Sequence, residues 1–401
     1  MTSAGAVALR DLAVMGGLVG GPFGSSLVGS DYTASGVPVI RGANLGHGRF
    51  VGGDFVYVSM EKATGELARN QARPGDLVFT QRGTLGQIAV VPEGGADAYV
   101  VSQSQMRLRV DPARADPRFV YYACTTSDFV QQVHDHAIAT GVPHINLGIL
   151  GALRVPDIPR REQRAIAEVL GALDDKIAAN TRLATTADEY LAEVLDQSLR
   201  AAEPTMVRLD EIARVNARSV KTAVGTIRYI DISSVGVGEY DAPSELAWPD
   251  APSRARRGIA PGDTIWSTVR PNRRSHALVL SDDPDLVGST GLAVLTPTAV
   301  SFAYLYEVTR RPEFVAYLET VAEGSAYPAV RADRFGAASV PLLSRTGLDA
   351  FADVAEPLRR RLATARDENR SLAATRDALL PALMSGTLRV RDAERVVEEV
   401  V

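Results

Sequence analysis

The sequence predicts an α+β fold: two duplicated globular α/β domains, each followed by a long helix, with the two helices forming an antiparallel coiled coil. Three observations predict it. Matching motifs occur twice, with Pro143 and Pro328, and likewise Pro156 and Pro341, 185 residues apart, and Pro74 and Pro261 187 apart. A stripe of apolar residues at three- and four-residue spacing follows each copy, the mark of a coiled-coil seam. The copies themselves mix short apolar runs with many Gly and Pro and show no regular strand–helix alternation, which favours irregular sheets over a parallel doubly wound one.

The elements follow in order. ARPGDLVFTQRGTLGQIAVV (72–91) reads as a Pro-Gly-Asp turn, an apolar strand, a polar tip and a returning strand, and IAPGDTIWSTVRPNRRSHALV (259–279) repeats that plan. VSQSQMRLRV (101–110) alternates and reads as one strand. FVYYACTTSDFVQQV (119–133) and FAYLYEVTRRPEFVAYL (302–318) each read as one helix. ATGVPHINLGILGALRVP (139–156) has its counterpart in EGSAYPAVRADRFGAASVP (323–341).

The expected layout is a first domain over 1–158, a long helix over 159–204, a second domain over 205–343, a second long helix over 344–390 and a tail over 391–401. The predicted helix–helix seam is Ile166, Leu170, Leu173, Ile177, Asn180 and Leu191 on the first helix. On the second it is Phe351, Leu358, Leu362, Asn369, Leu372 and Leu379. Helices of about 40 residues span about 60 Å at 1.5 Å per residue. Stripes this narrow need a partner, and each helix is the obvious partner of the other. An Asn on such a seam fixes register at some cost in stability; a surface position just off the seam is the alternative for Asn180 and Asn369.

Composition narrows the function. The chain has 401 residues, 46% of them hydrophobic and 23% charged, with no apolar run long enough for a membrane span and no signal-peptide pattern at its start. A lone Cys124 excludes an internal disulfide and a cysteine zinc site. A cytoplasmic protein is expected. The net charge of −5 weighs against nucleic-acid binding, and neither domain is basic, with 12 basic against 13 acidic residues over 1–158 and 15 against 16 over 205–343. A local patch still suffices for phosphate contacts. The segment 160–204, with 6 basic and 9 acidic residues, suits protein docking better.

Catalytic patterns are missing. GGPFGSSLVGSDY (20–32) lacks the Lys of a phosphate-binding loop and the order of a dinucleotide fingerprint, so it reads as a turn region. His134 and His136, two apart, do not share a helix face, and no metal site is expected. There is no nucleophile elbow, no Gly-rich loop for S-adenosylmethionine and no Asn/Asp-Pro-Pro-aromatic clamp for a flipped base, so no catalytic residues and no cofactor are expected in this chain. What the sequence does offer is side chains that read base edges. Thr80, Gln81, Arg82 and Thr84 stand at the first tip; Ser267, Thr268, Arg270, Asn272, Arg273 and Arg274 stand at the second. Gln103, Ser104 and Gln105 in SQSQ, His144 in GVPHIN, Arg41, Tyr327, and Ser25 and Ser26 as donors to the DNA backbone complete the candidate contacts. Solvated loops with locally paired arginines are the competing explanation.

Taken together, these segments resemble the specificity (S) subunits of type I restriction–modification enzymes. GPFGSSL with the following Asp-Tyr, GVPVIRGANL (36–45), GDLVFTQRGTLGQIAVVP (75–92), GVPHINLGILGALRVPDIP and REQRAIAEVLGALDDKIAAN carry the likeness in the first half. RYIDISSV (228–235), GDTIWSTVRPNRRSHALV (262–279) and LLPALMSGTLRV (379–390) carry it in the second. The resemblance implies that each globular half is a target recognition domain reading one part of a bipartite double-stranded DNA sequence, spaced by the coiled coil. It implies docking of two copies of a methyltransferase (modification) subunit, which supplies S-adenosylmethionine, and of a restriction subunit that uses ATP and Mg. A complete DNA adenine methyltransferase or its recognition portion, and a coiled-coil scaffold with no DNA role, remain the alternatives.

Overall fold

The computed structural model describes residues 5–46, 48–139, 141–222, 224–324, 327–398 and 400. Thr140 and Ser325–Ala326 of the repeated segments, and Glu399 and Val401 of the predicted tail, lie outside the described residues. The chain divides into two compact units: unit 1 comprises Met1–Ala179 with Glu368–Val401, and unit 2 comprises Asn180–Asp367.

Among the described residues each unit carries three sheets on a common plan, the second of which has five strands in unit 1 and four in unit 2. In unit 1 the first is four-stranded, in the order Ala13–Gly20, Gln105–Val110, Leu77–Thr80, Ile88–Val90. Its counterpart in unit 2 runs Ala213–Val215, Leu292–Pro297, Asp263–Ser267, His276–Val279. A second sheet contains one parallel pair in each unit, Val37–Ile40 beside Tyr99–Val101 and Thr226–Ile230 beside Leu286–Ser289. A two-stranded ribbon closes each domain, Gly5–Ala8 on Arg154–Asp157 and Thr205–Arg208 on Ser339–Leu342.

The repeated Pro-Gly-Asp turn has a physical reason. Asp76 is buried, accepts from its own turn through Arg73 N at 2.8 Å, and takes both forks of Arg109 at 2.7 Å. Asp263 does the same through Ala260 N at 2.8 Å, the Thr296 hydroxyl at 2.7 Å and Arg218. A carboxylate buried this deeply needs such partners, and with them it pins the turn that launches the central strand.

Three sequence expectations are corrected here. The helices predicted over 119–133 and 302–318 each break in two, into Pro117–Thr125 and Ser127–Asp135, and Phe302–Thr309 and Pro312–Val321. Thr126 caps the new start by accepting from Phe129 N, and Pro312 takes the first helical position where no amide donor is needed. The strand read across 101–110 breaks at Ser102–Ser104, where a turn passes the chain from one sheet to the other.

The long helices are Arg160–Ala201 and Arg345–Met384. In unit 1, Ile166, Leu170 and Leu173 share an apolar cluster with Leu372, Leu379 and Leu383, and Asp174 meets Arg376 at 2.8 Å. In unit 2, Leu191 and Leu195 cluster with Phe351 and Ala355. Within each unit the later part of one helix meets the earlier part of the other, so the pairing is antiparallel. Of the remaining seam positions, Asn180 and Leu362 are buried, while Ile177, Leu358 and Asn369 are half-buried. A short helix, Val390–Glu398, follows inside the segment read as a tail and seats Ala393 and Val397 in the unit 1 core.

Candidate nucleic-acid interface

The loops at one edge of each four-stranded sheet are clasped by backbone hydrogen bonds in the same pattern. In unit 1, Ile145 N donates to Gln81 O at 2.9 Å, Gly83 N to Pro143 O at 3.4 Å, and Ile138 and His144 exchange a pair of bonds. In unit 2, Val330 N donates to Thr268 O at 2.8 Å, Arg270 N to Pro328 O at 2.7 Å, and Glu323 and Ala329 exchange the pair. A third strand turn joins each clasp, through Gln81 N to Ser104 O at 2.7 Å and Thr268 N to Gly291 O at 2.9 Å. The matched pair Pro143 and Pro328 are therefore acceptors in this clasp.

In unit 1 the edge gathers Gln81, Arg82, Ser104 and His144. Arg82, Thr84 and Gln103 are exposed, and Gln81, Ser104 and His144 are half-buried. The GPFGSSL segment docks on the same edge. Gln103 Nε2 donates to Gly24 O at 2.6 Å and Leu27 O at 2.9 Å, and Gly21 N donates to Gln105 O at 2.9 Å. A Cβ on Gly21 would lie 1.9 Å from Ser102 O, so this glycine serves a close approach within the protein. Ser25 is exposed and Ser26 half-buried in that loop. Arg41 lies apart on the loop after Val37–Ile40, its guanidinium 3.5 Å from Asp54 O.

Three candidates are withdrawn from the surface. Gln105 is fully buried and its side chain accepts from the Ser102 hydroxyl. Thr80 is buried and faces Gln87 at 3.4 Å, and Ser267 is buried and donates to Val269 O at 2.8 Å. All three end or begin sheet strands on the inward side, so they support the tips without reaching a ligand. Alternation alone left the face of these strand-end residues open.

In unit 2 the exposed tip carries Asn272, Arg273 and Arg274, with Arg270 and Thr268 half-buried. The hydrogen-bond pattern shows which positions correspond. Gly83 matches Arg270 and, with one residue inserted, Gly86 matches Arg274; Arg82 matches Val269. All four Gly and Arg positions have positive φ, 102° and 87° for Gly83 and Gly86, and 52° and 55° for Arg270 and Arg274. Arginine in the left-handed region costs roughly 1–3 kcal/mol, a strain that concentrates at functional sites. The Arg270 guanidinium stacks 4.7 Å over the Tyr327 ring, and Tyr327 is 70% exposed. Its unit 1 counterpart, Val142, is also exposed. Val142 and Gly291 were missed from the sequence because nothing marks them except their place in the repeat.

Beneath the unit 2 tip, His276 stacks on Trp266 with centroids 4.5 Å apart and contacts Arg274 O through Nδ1 at 2.6 Å. Burial pushes its pKa down to about 4; the hydrogen bond to the Arg274 carbonyl opposes this, and the Arg310 and Arg274 guanidiniums add to it. It is a neutral support for the loop. Among the described residues, no group of three or more His, Cys, Asp or Glu is placed to hold a metal ion, and no helix is long and apolar enough to cross a membrane.

The fold and these paired edges define a class: a protein with two sheet domains of common plan, each presenting polar loops at one edge and each braced by antiparallel long helices. Residues 32–186 match the family described as Type I restriction modification DNA specificity domain. The chain is also similar to the S subunit of a type I restriction–modification system from M. genitalium, at 18% identity, covering 96% of this chain and 97% of that one with a TM-score of 0.59. An HsdS subunit from Thermoanaerobacter tengcongensis aligns over 96% and 98% of the two chains at 16% identity and a TM-score of 0.37. A chain from a structure on complex assembly and conformational transition of the type I R-M system aligns over 97% and 99% at 18% identity and a TM-score of 0.39. No curated relative matches by sequence.

Proposed function

We propose that the chain is the non-catalytic DNA-recognition subunit of a type I restriction–modification complex, with each unit reading one part of a bipartite duplex sequence. The observation that carries this is the same clasped edge occurring twice with different polar side chains on it, on a chain whose segment 32–186 matches the DNA specificity family. One scaffold with two sets of contacts reads two unrelated short sequences. In unit 1 the readers are Gln81, Arg82, Thr84, Gln103, Ser104 and His144. In unit 2 they are Thr268, Arg270, Asn272, Arg273, Arg274 and Tyr327. An Arg fork fits guanine O6 and N7, and a Gln amide fits adenine N6 and N7 in the major groove. Stacking on Tyr327 holds the Arg270 fork in plane before DNA arrives, which lowers the ordering cost of binding.

The antiparallel helices set the gap between the two parts of the target. Two modification subunits dock on the chain and bring S-adenosylmethionine and the base-flipping clamp; a restriction subunit using ATP and Mg joins them. Since neither domain is net basic, the partners supply much of the phosphate neutralisation, and the isolated chain binds DNA weakly. The test is adenine methylation by the modification subunits with and without this chain. Site-selective methylation that requires the chain is expected; equal methylation without it would overturn the proposal. Deleting one heptad from both helices is expected to change the gap in the methylated motif and leave both half-sequences intact.

A further inference from the structure

Unit 1 carries a cationic groove that no sequence motif marks. It encloses about 770 Å³ over the outer side of strands Ala13–Gly20 and Gln105–Val110, and Arg69, Arg73, Arg107 and Arg109 line it. Arg107 is a built part of its floor: its side chain is 7% exposed, Nη2 donates to Gly16 O at 3.2 Å, and Nε has no hydrogen-bond partner. The buried Asp76 carboxylate serves both Arg107, at 3.7 Å, and Arg109, at 2.7 Å, so one negative charge faces two positive ones. Arg69 and Arg73 are exposed on the rim and make no ion pair among the described residues. The one carboxylate on the lining, Glu66, is engaged by Lys62 at 3.3 Å. Burial pulls the Arg107 guanidinium below its ordinary value; Asp76 offsets this, and Arg109 and Arg73 deepen it. Such a cluster is stabilised by an anion.

The groove is continuous with the clasped edge. Leu147, next to the clasp, and Gly20 to Phe23 of the docked loop line it, and Phe23 stands 93% exposed beside it. An anion held there lies alongside whatever the edge reads. In protein–DNA complexes phosphate contacts fix register while base contacts specify sequence. The second unit has no equivalent pair of strand arginines: Val294 and Thr296 stand where Arg107 and Arg109 stand, by the register of the central strands.

Resting on DNA recognition by unit 1, we propose that this groove takes phosphodiester groups of the duplex backbone, with Arg69 and Arg73 as the contacting pair and Arg107 and Arg109 as the fixed floor. The two halves of the target are then held differently, the first by a phosphate track and the second by its arginine tip.

The test measures binding of the full chain with its modification subunits to its target duplex across a salt series, for the wild type and an Arg69→Ala/Arg73→Ala variant. Each lost phosphate contact reduces the slope of log affinity against log salt by about 0.9, so a reduction of about 1.8 is expected with the methylated motif unchanged. A wild-type slope retained by the variant, or a changed motif with that slope retained, overturns the groove proposal alone. Absence of wild-type binding overturns DNA recognition itself. A free-anion site is distinguished with inorganic phosphate: protection of the wild type against unfolding, lost in the variant, with equal salt slopes for both, contradicts the backbone assignment. Arg69→Glu/Arg73→Glu is expected to weaken binding further while leaving the unfolding temperature unchanged, which separates charge from folding.

Discussion

Tyr122 and Glu307 occupy the same place in the two repeats, six residues after the helix-capping Asp116 and Ser301, yet they lock their units by different chemistry. In unit 1 the Tyr122 hydroxyl donates to Asp174 at 2.7 Å, and Arg376 holds the other carboxylate oxygen at 2.8 Å. In unit 2 the buried Glu307 accepts from Arg310 at 2.7 Å and from Arg359, and Asp188 takes both arginines in turn. Asp174 and Arg359 each lie fourteen residues after the first residue of their long helices, so the helix presents an acid to one domain and a base to the other. The repeat keeps the position and replaces a neutral phenol–acid pair by an acid–base pair. The lesson is that backbone geometry is the inherited quantity here, and side chains are re-chosen on it.

The largest effect should come from breaking these locks. Glu307→Ala leaves Arg359 and Arg310 short of a buried counter-charge and is expected to cost about 3–5 kcal/mol. Tyr122→Phe removes one neutral donor from an Asp174 that keeps Arg376, and about 1–2 kcal/mol is expected. Native-state hydrogen exchange of the central strands, read separately in each unit, measures both; equal costs would mean that the two locks do not differ as described.

The next comparison is His276 with its counterpart Ile88, each paired to the penultimate residue of a central strand. Because His276 is depressed from 6.5 to about 4, the folded state binds fewer protons than the unfolded chain between those values. Its contribution is fully present above about pH 6.5 and is lost as pH falls toward 4, by about 3 kcal/mol in all. Unit 2 should therefore lose stability over that window, and His276→Phe should flatten the loss. Unit 1 has no such residue at this place and serves as the control. An unchanged pH slope in the variant would show that His276 titrates normally.

Smaller effects sharpen the comparison of the tips. Arg270→Gly relieves a left-handed backbone and should stabilise unit 2 by up to about 1 kcal/mol while removing a side chain proposed to read DNA. Gly83→Ala places a Cβ at a φ of 102° and should destabilise unit 1 by about 1–3 kcal/mol. Thermal unfolding of the two variants checks the opposite signs; the same sign in both would deny that the positions correspond.

Much of this was legible in the sequence because it depends on spacing. The repeated Pro-Gly-Asp turn, the matched prolines and the two stripes fixed the duplicated sheets and the paired helices, since each is a local demand of turn chemistry or periodicity. What spacing does not encode is which way a strand-end side chain faces. Thr80, Gln105 and Ser267 looked like readers and point inward. Nor does it encode alignment across an insertion: Arg82 and Arg270 stand at similar places in their tips, but Arg270 occupies the place of Gly83. The groove arginines were invisible because Arg107 and Arg109 read as the polar face of a strand, and Arg69 and Arg73 come from a different sheet's loop.

The central claim is that each unit reads its own part of one target. Mapping methylated adenines across the genome of a strain carrying Arg270→Ala tests it most directly. The account predicts a two-part motif in which discrimination relaxes at one base of one part, by about 1–3 kcal/mol, with the other part and the gap unchanged. A motif altered in both parts, or one continuous motif with no gap, would contradict it.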